Sequence, residues 1–78
     1  MWHEGYIGIP AKGRYVKVRY QVKAYEEGSV FGINEGRISK LWLQADGQTV
    51  AYYDRGWDIE PTCEAANLAL SILLDKYN

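Results

Sequence analysis

Cys63 and His3 are the chain's one cysteine and one histidine, so His3 is the only conceivable base for a Cys63 nucleophile. A thiol near a helix start can have a lowered pKa, and Cys63 falls where a helix is expected to begin. Nothing in the spacing sets His3 beside it, and Cys63 reads as a small, semi-buried hydrophobe. A structural zinc site needs four Cys or His ligands, which the chain does not have. Asp54, Asp58 and Glu60 form a local acidic group. They lack calcium-loop spacing and read as solvated loop charge or as partners of Arg55. Gly28, Gly32 and Gly36 recur at fours, but no Lys-Ser/Thr follows and no helix opens there, so they do not make a phosphate loop. No catalytic residue, metal ligand or cofactor site is assigned, and the expectation is a protein that is not an enzyme.

The chemistry the chain does carry is that of contact. From Arg14 to Tyr25 every second residue separates, with Val16, Val18, Tyr20, Val22 and Ala24 on one side and Lys17, Arg19, Gln21 and Lys23 on the other. A strict period of two is a β-strand with one buried and one wet face. Lys40 and Trp42 extend that wet face from a later strand, and Tyr52 joins them if Tyr53 points inward. Cations interleaved with exposed rings suit single-stranded nucleic acid, where cations meet phosphates and rings stack on bases. The same residues also suit a solvated sheet face with amphipathic stems. Arg55 and Trp57, within Tyr53-Asp54-Arg55-Gly56-Trp57-Asp58, form a possible second contact point, since Trp, Tyr and Arg dominate interface hot spots. The competing reading of that segment is a corner leaving the sheet, with Gly56 at positive φ and Trp57 plugging one end of the core.

These side chains need elements to hold them. Trp2 to Ile9 reads as a first strand and Pro10 to Gly13 as a turn. The long strand follows to about Tyr25. Ser29 to Gly36 is an irregular connection pinned by Val30, Phe31 and Ile33. Arg37 to Gln44 is a third strand, with Ser39, Leu41 and Leu43 on one face and Ile38, Lys40 and Trp42 on the other. Asp46-Gly47 makes a hairpin turn and Thr49 to Asp54 is the fourth strand. A helix is expected from near Pro61, since proline favours the first helical position. Ala66, Ala69 and Leu73 lie opposite a stripe of Glu64, Asn67, Ser71 and Asp75, with Ala65, Leu70, Ile72 and Tyr77 flanking. Leu68 and Leu74 border the polar stripe. The fold class is α+β: a four-stranded antiparallel sheet in the order β-β-β-β-α, with the C-terminal helix on one face.

Composition bounds the rest. Seventy-eight residues make one domain, 1–78, and 47% hydrophobic with 24% charged residues are globular proportions. Net charge is −1, divided as +3 over residues 1–40 and −4 over residues 41–78. A dedicated duplex-DNA binder would be more basic. A lone cysteine excludes an internal disulfide and points to a reducing, cytoplasmic location. No stretch is long and apolar enough to span a bilayer.

Phe31-Gly32-Ile33, Gly36-Arg37-Ile38-Ser39-Lys40-Leu41 and Tyr53-Asp54-Arg55-Gly56-Trp57-Asp58 resemble a family of small uncharacterised proteins of gut bacteria and their phages or other mobile elements, over nearly the whole chain including Trp2 and Gly5. The resemblance implies a small accessory protein and brings no activity with it. The resulting expectation is a non-enzymatic binding module. Its candidate residues are Lys17, Arg19, Lys23, Lys40, Trp42, Tyr52, Arg55 and Trp57, and its macromolecular partner is open between protein and single-stranded nucleic acid. The alternative is self-association as a homodimer through the helix or a sheet edge.

Overall fold

A computed structural model describes residues 1–78. β1 (Trp2–Ala11), β2 (Arg14–Ala24), β3 (Ile38–Ala45), β4 (Gln48–Asp54) and β5 (Trp57–Ile59) form one sheet in the order β1-β2-β3-β4-β5, followed by α1 (Glu64–Tyr77). Every neighbouring pair is antiparallel, so the sheet is a plain meander. Two of its turns are two-residue hairpins. Lys12 and Gly13 have φ of 46° and 82°, and Asp46 and Gly47 have 51° and 76°. Positive φ at both central residues matches the right-handed twist of the flanking strands. Asp-Gly announces such a turn in the sequence, whereas Lys-Gly does so less plainly because lysine pays a steric cost there.

The alternation of β2 holds throughout. Val16, Val18, Tyr20, Val22 and Ala24 are all buried, and Lys17, Arg19, Gln21 and Lys23 are not. The buried side meets α1 through Ala65, Ala66, Ala69 and Leu73. Alanine at three of these positions lets the helix axis come close to the sheet, so Val18, Val22, Leu41 and Leu43 are sealed almost completely. At the C-terminal end of α1, Tyr77 stacks on His3 with ring centroids 4.4 Å apart and tilts toward Tyr20 at 6.4 Å. The Asn78 amide fixes that end to the β2–β3 connection. Its Oδ1 accepts from Ile38 N at 3.0 Å and its Nδ2 donates to the Ile33 carbonyl at 3.1 Å.

Four expectations are corrected. The sheet has five strands, not four: Trp57–Ile59 returns along β4, with Trp57 opposite Tyr53 and Ile59 opposite Tyr52. The turn that makes this possible places Arg55, not Gly56, at positive φ (57°). The Arg55 amide donates to the Ser39 carbonyl at 3.0 Å, which pins the turn to β3. Trp57 therefore does not plug the core; it stays 36% exposed and meets the Tyr53 ring edge-on at 5.1 Å.

Second, Ile38 belongs to the core, not to the wet face, and is 0% exposed. A bulge resets the period: Ala24 pairs with Ile38 and Lys23 with Lys40, leaving Ser39 without a partner. Third, α1 begins at Glu64 rather than near Pro61, because the Thr62 amide is spent on the Val50 carbonyl of β4 at 3.0 Å. Cys63 is then the extended residue before the helix (φ −150°), and it is exposed rather than semi-buried. His3 lies by Tyr77 at the other end, about 20 Å away along a 14-residue helix. Fourth, Leu74 packs at the core's margin, and the exposed apolar pair on α1 is Leu68 (42%) with Ile72 (46%).

The glycines at fours have a steric explanation. A Cβ on Gly32 would run into the Gly36 carbonyl, and one on Gly36 into the Asn78 side chain. They let the connection fold on itself around a single 3-10 turn over Ile33–Glu35, which buries Ile33. The Tyr53 hydroxyl donates to the Phe31 carbonyl at 2.8 Å and holds the connection's near end to β4.

Candidate functional site

With α1 on one side of the sheet, the other side is bare. The register organises it into three rows running across the strands. The first row is Trp2, Lys23, Lys40 and Asp54; the second is Glu4, Gln21, Trp42, Tyr52 and Ile59; the third is Tyr6, Arg19, Gln44 and Thr49. Neighbours within a row are about 5 Å apart and rows about 7 Å apart. The aromatic pair Trp42 and Tyr52 thus occupies the middle of the face. Lys23 and Lys40 lie on one side of it and Arg19 on the other.

Each cation also has an aromatic or acidic neighbour. Lys17 Nζ lies 4.5 Å from the Tyr6 ring centroid, Arg19 5.8 Å from that of Trp42, and Lys23 5.9 Å from Trp2 and 5.4 Å from Tyr25. Arg19 approaches Glu4 at 3.9 Å and Lys40 approaches Asp54 at 3.8 Å. These pairs are solvated, so each is worth roughly 0–1 kcal/mol and yields readily to a stronger partner. Trp42 is oriented by its indole N–H, which donates to Thr49 Oγ1 at 3.0 Å.

Two depressions share Lys40. The first, of about 330 Å³, lies over the middle of the face and brings Arg19, Lys40, Trp42 and Tyr52 together with Trp2 and Gln21. The second, of about 340 Å³, lies where the β2–β3 connection rises beside the sheet, and brings Lys23, Lys40 and Arg55 together with Tyr25, Ser29, Phe31 and Ser39. Lys17 is outside both, over Tyr6, and Trp57 is outside both, in a shallow groove with Asp54 and Asp58. Of the residues expected to act, six therefore converge and these two lie apart.

Sequence reasoning missed Trp2, Tyr6 and Tyr25 on this face. Trp2 and Tyr6 alternate with His3, Gly5 and Ile7, and that period-two signal was obscured by Gly5 and Gly8. Their side chains are 55% and 59% exposed. Gly5 leaves room for the Tyr20 ring, since a Cβ there would lie 3.0 Å from its hydroxyl and the ring would have to shift by a few tenths of an ångström. The potential of the second depression registers on Tyr25. A hydrogen bond to Lys23 is the largest influence, and with the Lys23 charge, a hydrogen bond to Ser39 and the Lys40 charge it outweighs the opposing effect of desolvation, holding the hydroxyl below the ordinary 10.0.

The fold and this face define a small α+β protein: an antiparallel meander covered on one side by a helix, with a basic and aromatic surface left bare on the other. The chain belongs to the family DUF7678, described as a domain of unknown function, whose family model matches residues 1–78. No curated protein and no solved structure matches it. No helix is long and apolar enough to cross a membrane.

Proposed function

We propose that the protein is a non-enzymatic binding module that holds single-stranded nucleic acid on the open face of its sheet. The observation that carries this reading is the placement of Trp42 and Tyr52 as cross-strand neighbours in the central row, flanked by Lys23 and Lys40 on one side and Arg19 on the other. Exposed rings stack on bases for about 1–3 kcal/mol each, with little sequence preference. Flanking ammonium and guanidinium groups neutralise phosphates. A protein partner would use the same rings, but it would gain less from four cations set around them. The lone exposed cysteine suits a reducing cytoplasm.

Titration of short single-stranded oligonucleotides, followed by tryptophan fluorescence, tests this. Binding is expected at low salt and weakens at moderate salt. Trp42→Ala should cost about 1–3 kcal/mol of affinity, and Lys17→Glu with Arg19→Glu should abolish binding. Absence of binding at low salt, or indifference to the charge reversals, removes the nucleic-acid reading in favour of a protein partner.

A second reading, self-association, is favoured by Leu68 and Ile72, which lie one turn apart on the outer side of α1 and are exposed. Light scattering at high concentration checks it. A mass above the 8.9 kDa of one chain that Leu68→Lys with Ile72→Lys returns to that value supports a helix-mediated dimer.

A further inference from the structure

We propose that the depression bounded by Lys23, Lys40 and Arg55 is a subsite for the terminal phosphate, a phosphomonoester, of the strand lying on the face. This rests on the single-strand reading above and adds to it where the strand stops and which group ends it.

Three cations reach this place from separate positions in the chain: β2, β3 and the β4–β5 turn. Lys23 and Lys40 are register partners. Like charges directly opposite each other weaken a sheet, and an anion between them reverses that penalty. Only Lys40 has a carboxylate within reach, Asp54 at 3.8 Å; Lys23 and Arg55 have aromatic neighbours instead, Lys23 with a hydrogen bond to the Tyr25 hydroxyl as well. Hydroxyls supply further donors. Ser29 Oγ accepts from the Phe31 amide at 3.2 Å, which leaves its own proton free. Ser39 Oγ makes a long bond, 3.5 Å, to the Lys23 carbonyl and also hydrogen-bonds the Tyr25 hydroxyl, beside which a phosphate oxygen would compete for it. Charged and hydroxyl donors together are the usual means of gripping a phosphate.

The surrounding backbone argues for a chain end. The β2–β3 connection walls the depression on one side. It is held by Tyr25 N to the Arg37 carbonyl at 3.0 Å and Ser29 N to the Gly36 carbonyl at 3.2 Å. An internal phosphodiester carries one charge and needs room for chain in both directions. A terminal monoester carries close to two charges at neutral pH and needs room in one. Lys40 is shared with the aromatic depression, so one nucleotide can place its base by Trp42 and its phosphate among the three cations.

Calorimetric titration of the full chain with one oligothymidylate in three forms decides the matter: 5′-phosphorylated, 3′-phosphorylated and with hydroxyls at both ends. One phosphorylated form should bind about tenfold tighter than the unphosphorylated one, a difference of about 1.4 kcal/mol. Arg55→Asn should collapse that ratio toward one. Asparagine tolerates the left-handed backbone at position 55, so circular dichroism and melting should confirm an intact fold. Lys17→Gln, at the far end of the face, should lower the affinity for all forms while leaving the ratio in place. Equal affinity for the three forms overturns the subsite and leaves the single-strand reading standing. A ratio that survives Arg55→Asn also overturns the subsite, by showing that the phosphate sits elsewhere. Failure of all three forms to bind overturns both.

Discussion

At the residue scale, Tyr20 in the middle of β2 and Tyr25 just past its end sit in opposite electrostatic settings. Tyr20 faces the helix side, where hydrogen bonding with Tyr77 comes first, then burial and the Tyr77 charge; all three push its hydroxyl above the ordinary 10.0. His3 stacks on the same Tyr77, and the Lys76 ammonium lies over that ring at 5.3 Å. Tyr25 faces the cationic side and is held below 10.0, chiefly by Lys23. The neutral form of Tyr20 is favoured by folding, so its contribution is fully present below pH 10.0 and is lost as pH rises through its raised folded value. Tyr25 has the opposite sign: its ionised form is favoured, and its contribution, present above 10.0, is lost as pH falls through its lowered value. In an alkaline absorbance titration Tyr25→Phe should remove a tyrosine that ionises below the ordinary 10.0 and Tyr20→Phe one that ionises above it. The reverse signs would contradict the placement of Tyr20 beside Tyr77 and of Tyr25 beside Lys23. The face of Tyr20 was readable from the alternation of β2 alone. The partner that shifts it was not, because Tyr77 is more than fifty positions away and only the docking of α1 brings it near.

At the element scale, regular elements were legible and interruptions were not. β2 declares itself over eleven residues, and Asp46-Gly47 fixes the β3–β4 hairpin by chemistry local to the turn. The bulge at Ser39 leaves no such mark. It is set by the tertiary demand that Ile38 and Leu41 both enter the core, while Asn78, forty positions further on, takes the Ile38 amide. β5 escaped detection because it has three residues, all exposed, and its turn hides its left-handed position under an arginine. Ile38→Ala tests the bulge directly. A core isoleucine reduced to alanine costs about 2–5 kcal/mol, whereas an isoleucine on the wet face would change stability by no more than about 0.5 kcal/mol. Urea denaturation should show the larger figure with an unchanged slope, since the surface exposed on unfolding is nearly the same. The candidate site divides in the same way. Lys17, Arg19, Lys23, Lys40, Trp42 and Tyr52 were readable because they lie on regular strands. Ser29, Ser39 and Tyr25 were not, because each belongs to an irregular segment whose direction only the assembled fold decides.

At the scale of the whole molecule, a net charge of −1 offers no long-range attraction for a polyanion. The fold nonetheless separates the signs. Four cations of the first half of the sequence share the bare face, where Glu4 and Asp54 are their carboxylate partners, while Glu64 and Asp75 are carried away on α1. Attraction is therefore local, and its salt dependence should count only the cations on the face. Single strands release about 0.7 counterions per neutralised phosphate. Full engagement of Lys17, Arg19, Lys23 and Lys40, together with Arg55 of the second depression, then gives a slope of log affinity against log salt of about −3.5. Lys12, Arg14, Arg37 and Lys76 are also exposed but lie outside the three rows and both depressions, and none of them sits over a ring of the face as Lys17 does over Tyr6. A slope much steeper than that would bring those residues into the footprint and shift binding from the face to the molecule's ends. A slope near zero would leave stacking on Trp42 and Tyr52 as the sole attraction. Measuring it in parallel for Lys40→Gln, which should lower the slope by about 0.7, ties the whole-molecule count to one side chain at the junction of the two depressions.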